Sequence, residues 1–224
     1  MPAPLASGDL TIDGDEAHHA LRVLRVKPGE KVRLADGDGR SAAAEVVEAG
    51  KRLRLRVDAV ESLPAGRCAE LAVAVAPPKG DRWTDLVRGL TELGVGSILP
   101  LRCARGERLP ASLERARRVA GEALKQSRRA WLPRLGPAID VAGLASGGTR
   151  LIIGDPAGGP PRPGRPCPTT LVIGPEGGLD AAELAALDAA GAERVRLAGP
   201  VLRIETAALA ASAVWASAWE HVST

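Results

Sequence analysis

Between Leu71 and Leu101 the chain spells strand, helix, strand. Leu71 to Ala76 (LAVAVA) is a short, unbroken apolar run, ended by Pro77-Pro78-Lys79-Gly80. From Asp81 to Leu93 the apolar residues Trp83, Leu86, Val87, Leu90 and Leu93 recur at helical spacing, and Gly94 is a natural stop. Ser97 to Leu101 is a second short apolar run. Two strands joined through a helix run parallel, so the spacing predicts an α/β fold with a parallel sheet. In open sheets of this kind ligands bind at the carboxyl ends of the strands.

Three further apolar runs break into loops of small and polar residues. Leu151-Ile152-Ile153 ends in Gly154-Asp155-Pro156, and residues 157–168, rich in Pro and Gly, are expected to form a mobile surface loop. Leu171-Val172-Ile173 ends in Gly174-Pro175-Glu176-Gly177-Gly178, followed by a helical pattern at Leu179, Leu184 and Leu187. Asp180 with Glu183 three residues on resembles a capping box. Arg194 to Ala198 runs into Gly199-Pro200-Val201-Leu202-Arg203-Ile204-Glu205-Thr206, and an alanine-rich helix spans Ala207 to about Glu220. Alone, any one of these is an ordinary glycine–proline turn. Together they are expected to converge on one pocket. No Gly-Lys-Ser/Thr and no Gly-x-Gly-x-x-Gly occurs there, and no Lys or Arg lies between Leu171 and Leu187. A triphosphate is therefore disfavoured, and a ligand held by backbone groups fits better. Arg203, Glu205 and Thr206 place a cation, a carboxylate and a hydroxyl beside the pocket, a combination suited to chemistry; as a plain surface pair, Arg and Glu would be worth about 0–1 kcal/mol.

The 224 residues suffice for one or two domains, and the reading places the boundary at 1–66 and 67–224, with Pro64-Ala65-Gly66 as linker. Residues 9–66 read as mainly β. Lys31 to Leu34 and Arg52 to Val57 alternate, with Leu53, Leu55 and Val57 inward and Arg52, Arg54 and Arg56 outward. Turns are expected at Lys27–Glu30 and at Asp36 to Gly39, and a short helix at Asp15 to Val23, capped by Asp13 with Glu16. His18 and His19 on that helix point about 100° apart, so they do not ligate one metal in a simple way. Arg22 and Arg25, three apart, share a face able to touch phosphates.

Net charge is uneven: −1 over residues 1–78, +7 over 79–135 and −3 over 136–224. The excess lies largely on a polar helix expected over 110–130 and closed by Pro133, whose apolar side is Leu113, Ala116, Val119, Ala120, Ala123 and Leu124. It is either a patch for a polyanion or a solvated helix face. Phe and Tyr are absent, which argues against a surface of stacking rings. Three scattered cysteines form neither a disulfide framework nor a zinc site, and no metal is expected. No apolar run spans a membrane and MPAPLASGDL is no signal peptide, so a cytoplasmic location is expected.

IGPEGG at 173–178 with the LDAAE helix start, GPVLRIETAAL at 199–209, HHALRVLRVKPGE at 18–30, TELGVGSILPL at 91–101 and EALKQSRRAWLP at 122–133 together resemble the ribosomal RNA small-subunit methyltransferase E family, over almost the whole chain. The chain departs from that family in having no Arg-aromatic element at its N-terminus and Ile at 204, where Thr is usual. The resemblance implies a trefoil-knotted SPOUT methyltransferase domain behind a PUA-like RNA-binding β-barrel, forming a homodimer. It implies S-adenosylmethionine as cofactor and methylation of uridine N3 in 16S ribosomal RNA, on the assembled small subunit. The donor pocket would be formed by Ile153, Gly154, Ile173, Gly174, Pro175, Glu176, Gly177, Gly178, Leu197, Gly199, Val201 and Leu202. Arg203 would stabilise charge on the uracil carbonyls, Glu205 would act as base or orient Arg203, and Thr206 would hydrogen-bond. The RNA would be met by Arg22, Arg25, Lys79, Arg115, Arg118, Arg128 and Arg129. The competing readings are a non-catalytic RNA-binding or ribosome-assembly factor and a knotted methyltransferase of another RNA site.

Overall fold

The structure, a computed structural model, describes residues 4–106 and 112–221. They fall into two compact units, Met1–Pro64 with Arg129–Trp131, and Ala65–Arg128 with Leu132–Thr224.

The first unit contains β1 (Gly8–Ile12), α1 (Gly14–His18), β2 (Lys31–Ala35), β3 (Arg40–Ala49), β4 (Leu53–Val57) and β5 (Glu61–Ser62). The strands pair antiparallel in the order β1-β4-β3-β2, with β5 on β3. Leu53, Leu55 and Val57 are buried while Arg54 and Arg56 face water, as alternation requires. The central strand β3 is not visible as a pattern in the sequence. Its inward residues are Ala42, Ala44 and Val46, and alanine flanked by alanine carries too little contrast to mark a period.

Three local expectations are corrected here. Asp13 occupies the N-cap of α1 but makes no side-chain capping bond; its carboxylate pairs instead with Arg52 at 3.2 Å. The α-helix ends at His18 and continues as a wider π turn over His19–Val23. Arg25 lies beyond that turn with φ 54°, so helical spacing does not put it on one face with Arg22. Trp131 belongs to this unit: its indole Nε1–H donates to the carbonyl of Leu63 at 2.9 Å, and its ring lies over Gly39 so closely that a Cβ there would sit 2.2 Å from it.

The second unit contains β6 (Leu71–Val75), α2 (Arg82–Leu93), β7 (Ser97–Arg102), α3 (Leu113–Ser127), β8 (Arg134–Leu135), β9 (Ile139–Asp140), α4 (Val141–Ser146), β10 (Arg150–Gly159), β11 (Thr169–Ile173), α5 (Ala181–Ala189), β12 (Glu193–Val195) and α6 (Ile204–Glu220). Its sheet is parallel, in the order β12-β10-β11-β6-β7-β8, with β9 also on β7. Both faces are covered, which is why the strands read as continuous apolar runs. Leu71, Val73, Val75, Ile152, Leu171 and Ile173 point to one layer, shared with α2, α3 and α6. Ala74, Leu151, Ile153 and Val172 point to the other, against α4 and α5.

Several boundaries differ from expectation. The polar helix ends at Ser127, six residues before Pro133, because Arg128 turns left-handed with φ 55° at the C-cap. Its start is capped by Ser112, whose Oγ accepts from the Arg115 amide; residues 110 and 111 lie outside the described residues. β10 does not stop at Ile153 but shifts register and runs on to Gly159. The expected loop is thereby shortened, and it is tied down: the Arg150 guanidinium donates to the carbonyls of Arg162, at 2.8 Å, and Pro163. β12 spans only Glu193–Val195. The last helix begins at Ile204, three residues early, so Glu205 and Thr206 lie in its first turn and Arg203 is its N-cap. Among the described residues no helix is long and apolar enough to cross a membrane, and no group of His, Cys, Asp and Glu is gathered as a metal site.

Candidate functional site

β12, β10 and β11 are neighbours, so the middle of β10, where its register shifts, lies beside the segments leaving the carboxyl ends of β11 and β12. Residues 153–156, 173–179 and 196–202 wall a cavity of about 210 Å³. Ten of the twelve predicted donor-site residues line it: Ile153, Gly154, Ile173, Gly174, Pro175, Glu176, Gly178, Leu197, Val201 and Leu202. Gly177 and Gly199 do not. The turn is closed by the Gly178 amide donating to the Pro175 carbonyl at 2.8 Å, with Gly178 at φ 69°, where only glycine sits without strain. A capping box then starts α5: Asp180 Oδ1 accepts from the Glu183 amide and Glu183 Oε2 from the Asp180 amide, both at 2.8 Å. A Cβ on Gly154 would stand 2.9 Å from Ile173 Cδ1, so a side chain there would make the end of Ile173 shift. The lining carries two carboxylates, Asp155 and Glu176, and one guanidinium, Arg196. Asp155 is already paired with Arg194 at 3.2 Å, which leaves Glu176 against Arg196: a lining near neutrality, unsuited to a phosphate.

A second cavity of about 440 Å³ lies alongside and shares Pro175, Glu176 and Ile204 with the first. It is built on the ends of β6 and β7, and Lys79, Arg82, Arg102 and Arg105 line it. Lys79 was expected to meet RNA; Arg82, Arg102 and Arg105 were not, because only the last three strand ends entered the expected pocket. Arg105 Nη1–H donates to the Gly177 carbonyl at 2.7 Å, and the Ala104 amide donates to Glu183 Oε1 at 2.6 Å, so the segment after β7 is fastened to the glycine turn and to the capping box. Cys103 also lines this cavity. Burial, reinforced by the negative charge of Glu183 and opposed by a backbone hydrogen bond from Gly106, pushes its thiol above the ordinary range.

Arg203, Glu205 and Thr206 line neither cavity. Arg203 and Thr206 are exposed, Arg203 standing between Leu202 and Ile204, which both face the smaller cavity. Glu205 is not seen orienting Arg203: its Oε1 pairs with Arg82 at 3.5 Å, and its Oε2 is buried without a hydrogen-bond partner. Of the cations predicted to meet RNA, Lys79 lines the larger cavity, whereas Arg115 is held by Asp81 at 2.8 Å and Arg118 is exposed on α3. Arg22 and Arg25 are exposed in the first unit, Arg128 is exposed at the end of α3, and Arg129 is half-buried with its Nε out of solvent.

Sequence profiles match on both units: residues 66–216 match one described as an RNA methyltransferase domain, and residues 12–58 one described as an RNA methyltransferase PUA domain. The chain is 37% identical to the ribosomal RNA small subunit methyltransferase E of Mycobacterium tuberculosis, over 93% of this chain and 87% of that one. Among solved structures, the ribosomal RNA small subunit methyltransferase E of Neisseria gonorrhoeae, bound to S-adenosyl methionine, superposes with a TM-score of 0.85 at 27% identity, over 99% of this chain and 98% of that one. A methyltransferase of Legionella pneumophila, solved with the bound cofactor SAM, gives a TM-score of 0.85 at 25% identity, over 98% and 96%. The class is thus an RNA methyltransferase with a PUA domain. Within it, the chain belongs to the ribosomal RNA small-subunit methyltransferase E family.

Proposed function

We propose that the chain binds S-adenosylmethionine in the cavity between the three turns and methylates N3 of a uridine in 16S ribosomal RNA, on the assembled small subunit. The observation that carries the reading is the meeting of residues 153–156, 173–179 and 196–202 around one near-neutral cavity that does not suit a phosphate. It is supported by the two related structures that hold this donor. When bound there, the donor supplies an electrophilic methyl group on a sulfonium. The walls hold its adenine through backbone groups and exclude water.

Uracil N3 carries a proton and lies on the pairing edge, so the target base must be unpaired and its proton removed before N3 can attack. Arg203, at the rim of the cavity, meets the negative charge that this leaves on the uracil carbonyls. Glu205 is the proposed proton acceptor, from a position where Arg82 holds one of its oxygens. Thr206 is a hydrogen-bonding partner on the same turn of helix. Alignment of the two reactants contributes much of the acceleration.

The finer architecture belongs to the same reading: a SPOUT trefoil knot, a PUA-like barrel and a homodimer. In support of the knot, α6 follows the edge strand β12 yet packs against α2, β6 and β11 at the centre of the sheet. In support of the dimer, Val201 at the cavity mouth is 81% exposed and Val214 on α6 is 38% exposed, an apolar surface suited to a second copy. Mass mapping of 16S ribosomal RNA tests the activity. A strain lacking the gene should lose a single base-attached methyl group on one uridine, restored by the wild-type chain. Loss of a ribose methyl, or of no methyl at all, would contradict the proposal.

A further inference from the structure

We propose that the cavity of about 440 Å³ receives the flipped-out target nucleotide, its phosphate on Arg82 and Arg102 and its base against the wall shared with the donor cavity. This rests on the methyltransferase reading for the identity of the nucleotide, but not for the chemistry of the pocket. The volume lies within the range of about 300–1,000 Å³ usual for small-molecule sites.

Charge sorts the two ligands. Among the described residues, four cations, Lys79, Arg82, Arg102 and Arg105, line the larger cavity against one carboxylate, Glu176. The smaller one has Glu176 against Arg196, its other carboxylate, Asp155, being paired with Arg194. An anion is drawn to the first, and the near-neutral second is left to a donor that carries no phosphate. Two of the guanidiniums are held in place. Arg82 is braced by Glu205 at 3.5 Å, and Arg105 by the Gly177 carbonyl at 2.7 Å. Ala76, Pro77, Pro78 and Leu101 supply an apolar floor for the base. Among the described residues no aromatic ring lines the cavity, so the base is selected by hydrogen bonding and shape and not by stacking.

The shared residues Pro175, Glu176 and Ile204 put the reacting edge of a base next to the donor cavity. The Arg105 bond ties the pocket to the same turn that walls the donor, so both sites are shaped by one loop.

The test uses the full chain and three probes, uridine 5′-monophosphate, uridine and inorganic phosphate, followed by NMR titration, with donor affinity measured on the same samples. Uridine monophosphate should bind more tightly than either fragment. Arg82→Ala with Arg102→Ala should weaken it by at least about tenfold, the usual effect of removing a charge-assisted hydrogen bond. Arg102→Ala alone, at an exposed position, should weaken it in the same direction. Donor affinity should not change in either. Arg88→Ala, whose side chain pairs with Asp85 on the exposed side of α2, should bind like the wild type. Equal binding of the nucleotide by wild type and both arginine variants would overturn the proposal. So would inorganic phosphate binding as tightly as the nucleotide, which marks a simple anion site. If the nucleotide behaves as expected while the donor fails to bind the wild type, the pocket stands and the methyltransferase reading falls.

Discussion

Arg203 occupies the N-cap of α6, between two residues that face the donor cavity, and that position defines its expected effect. A guanidinium that meets charge only as the proton leaves N3 contributes to the transition state and not to donor binding. Arg203→Ala is therefore expected to slow single-turnover methylation of small subunits roughly 100-fold. Donor affinity, measured by calorimetry, should stay within about twofold, because the interaction is absent from the ground state. An unchanged rate would remove Arg203 from the mechanism. Glu205 was singled out from the sequence but its partner was not: Arg82 lies 123 positions away and meets it only because α6 packs against α2. Such a pairing leaves no trace in local spacing. Gly178 was legible for a local reason, since a positive φ between a strand and a capped helix demands glycine.

The elements that could be read were those with contrast. β6, β7 and β11 are buried on both faces and appear as apolar runs between breakers. β3 is alanine-rich and was silent, and β8 and β9 are two residues each, too short to carry a period. The start of α6 was hidden because Ile204-Glu205-Thr206 reads as loop until the tertiary packing of Ile204, 4% exposed, draws it into the helix.

At the outer edge of the sheet, Arg150 donates to both oxygens of Glu193, at 2.8 and 3.0 Å, and joins β10 to β12 behind the donor loops. The hydrogen bond from Arg150 holds the Glu193 carboxyl below its ordinary range, with burial opposing. The folded state therefore binds that proton less readily than the unfolded chain. The stabilisation is present above the ordinary carboxylate range and is lost as pH falls through the depressed value. Glu193→Gln is expected to lower stability at neutral pH by no more than about 1 kcal/mol, since the pair is partly exposed, and the difference should vanish in acid. Denaturant melts at neutral and acid pH check both the size and the sign; a deficit that grows in acid would contradict the assignment.

At the scale of the whole molecule the sequence changes in turn chemistry and apolar runs near Pro64, where the structure passes from a mainly antiparallel unit to a parallel one. It did not carry the attachment of residues 129–131 to the first unit, which depends on Trp131 lying over Gly39. The proposed homodimer is tested by sedimentation. The wild type should sediment as two copies, and Val214→Glu, a charge on an exposed apolar position, should shift it toward one copy without loss of helix content. A wild type that sediments as a single copy at all concentrations would contradict it.

The central claim is that three turns distant in sequence form one donor site. A crystal structure of this chain grown with S-adenosylmethionine tests it most directly. The expected result is donor density between residues 153–156, 173–179 and 196–202, its adenine on backbone groups and its methyl facing Ile204 and the larger cavity. Density for the donor anywhere else, with that cavity empty, would contradict the account.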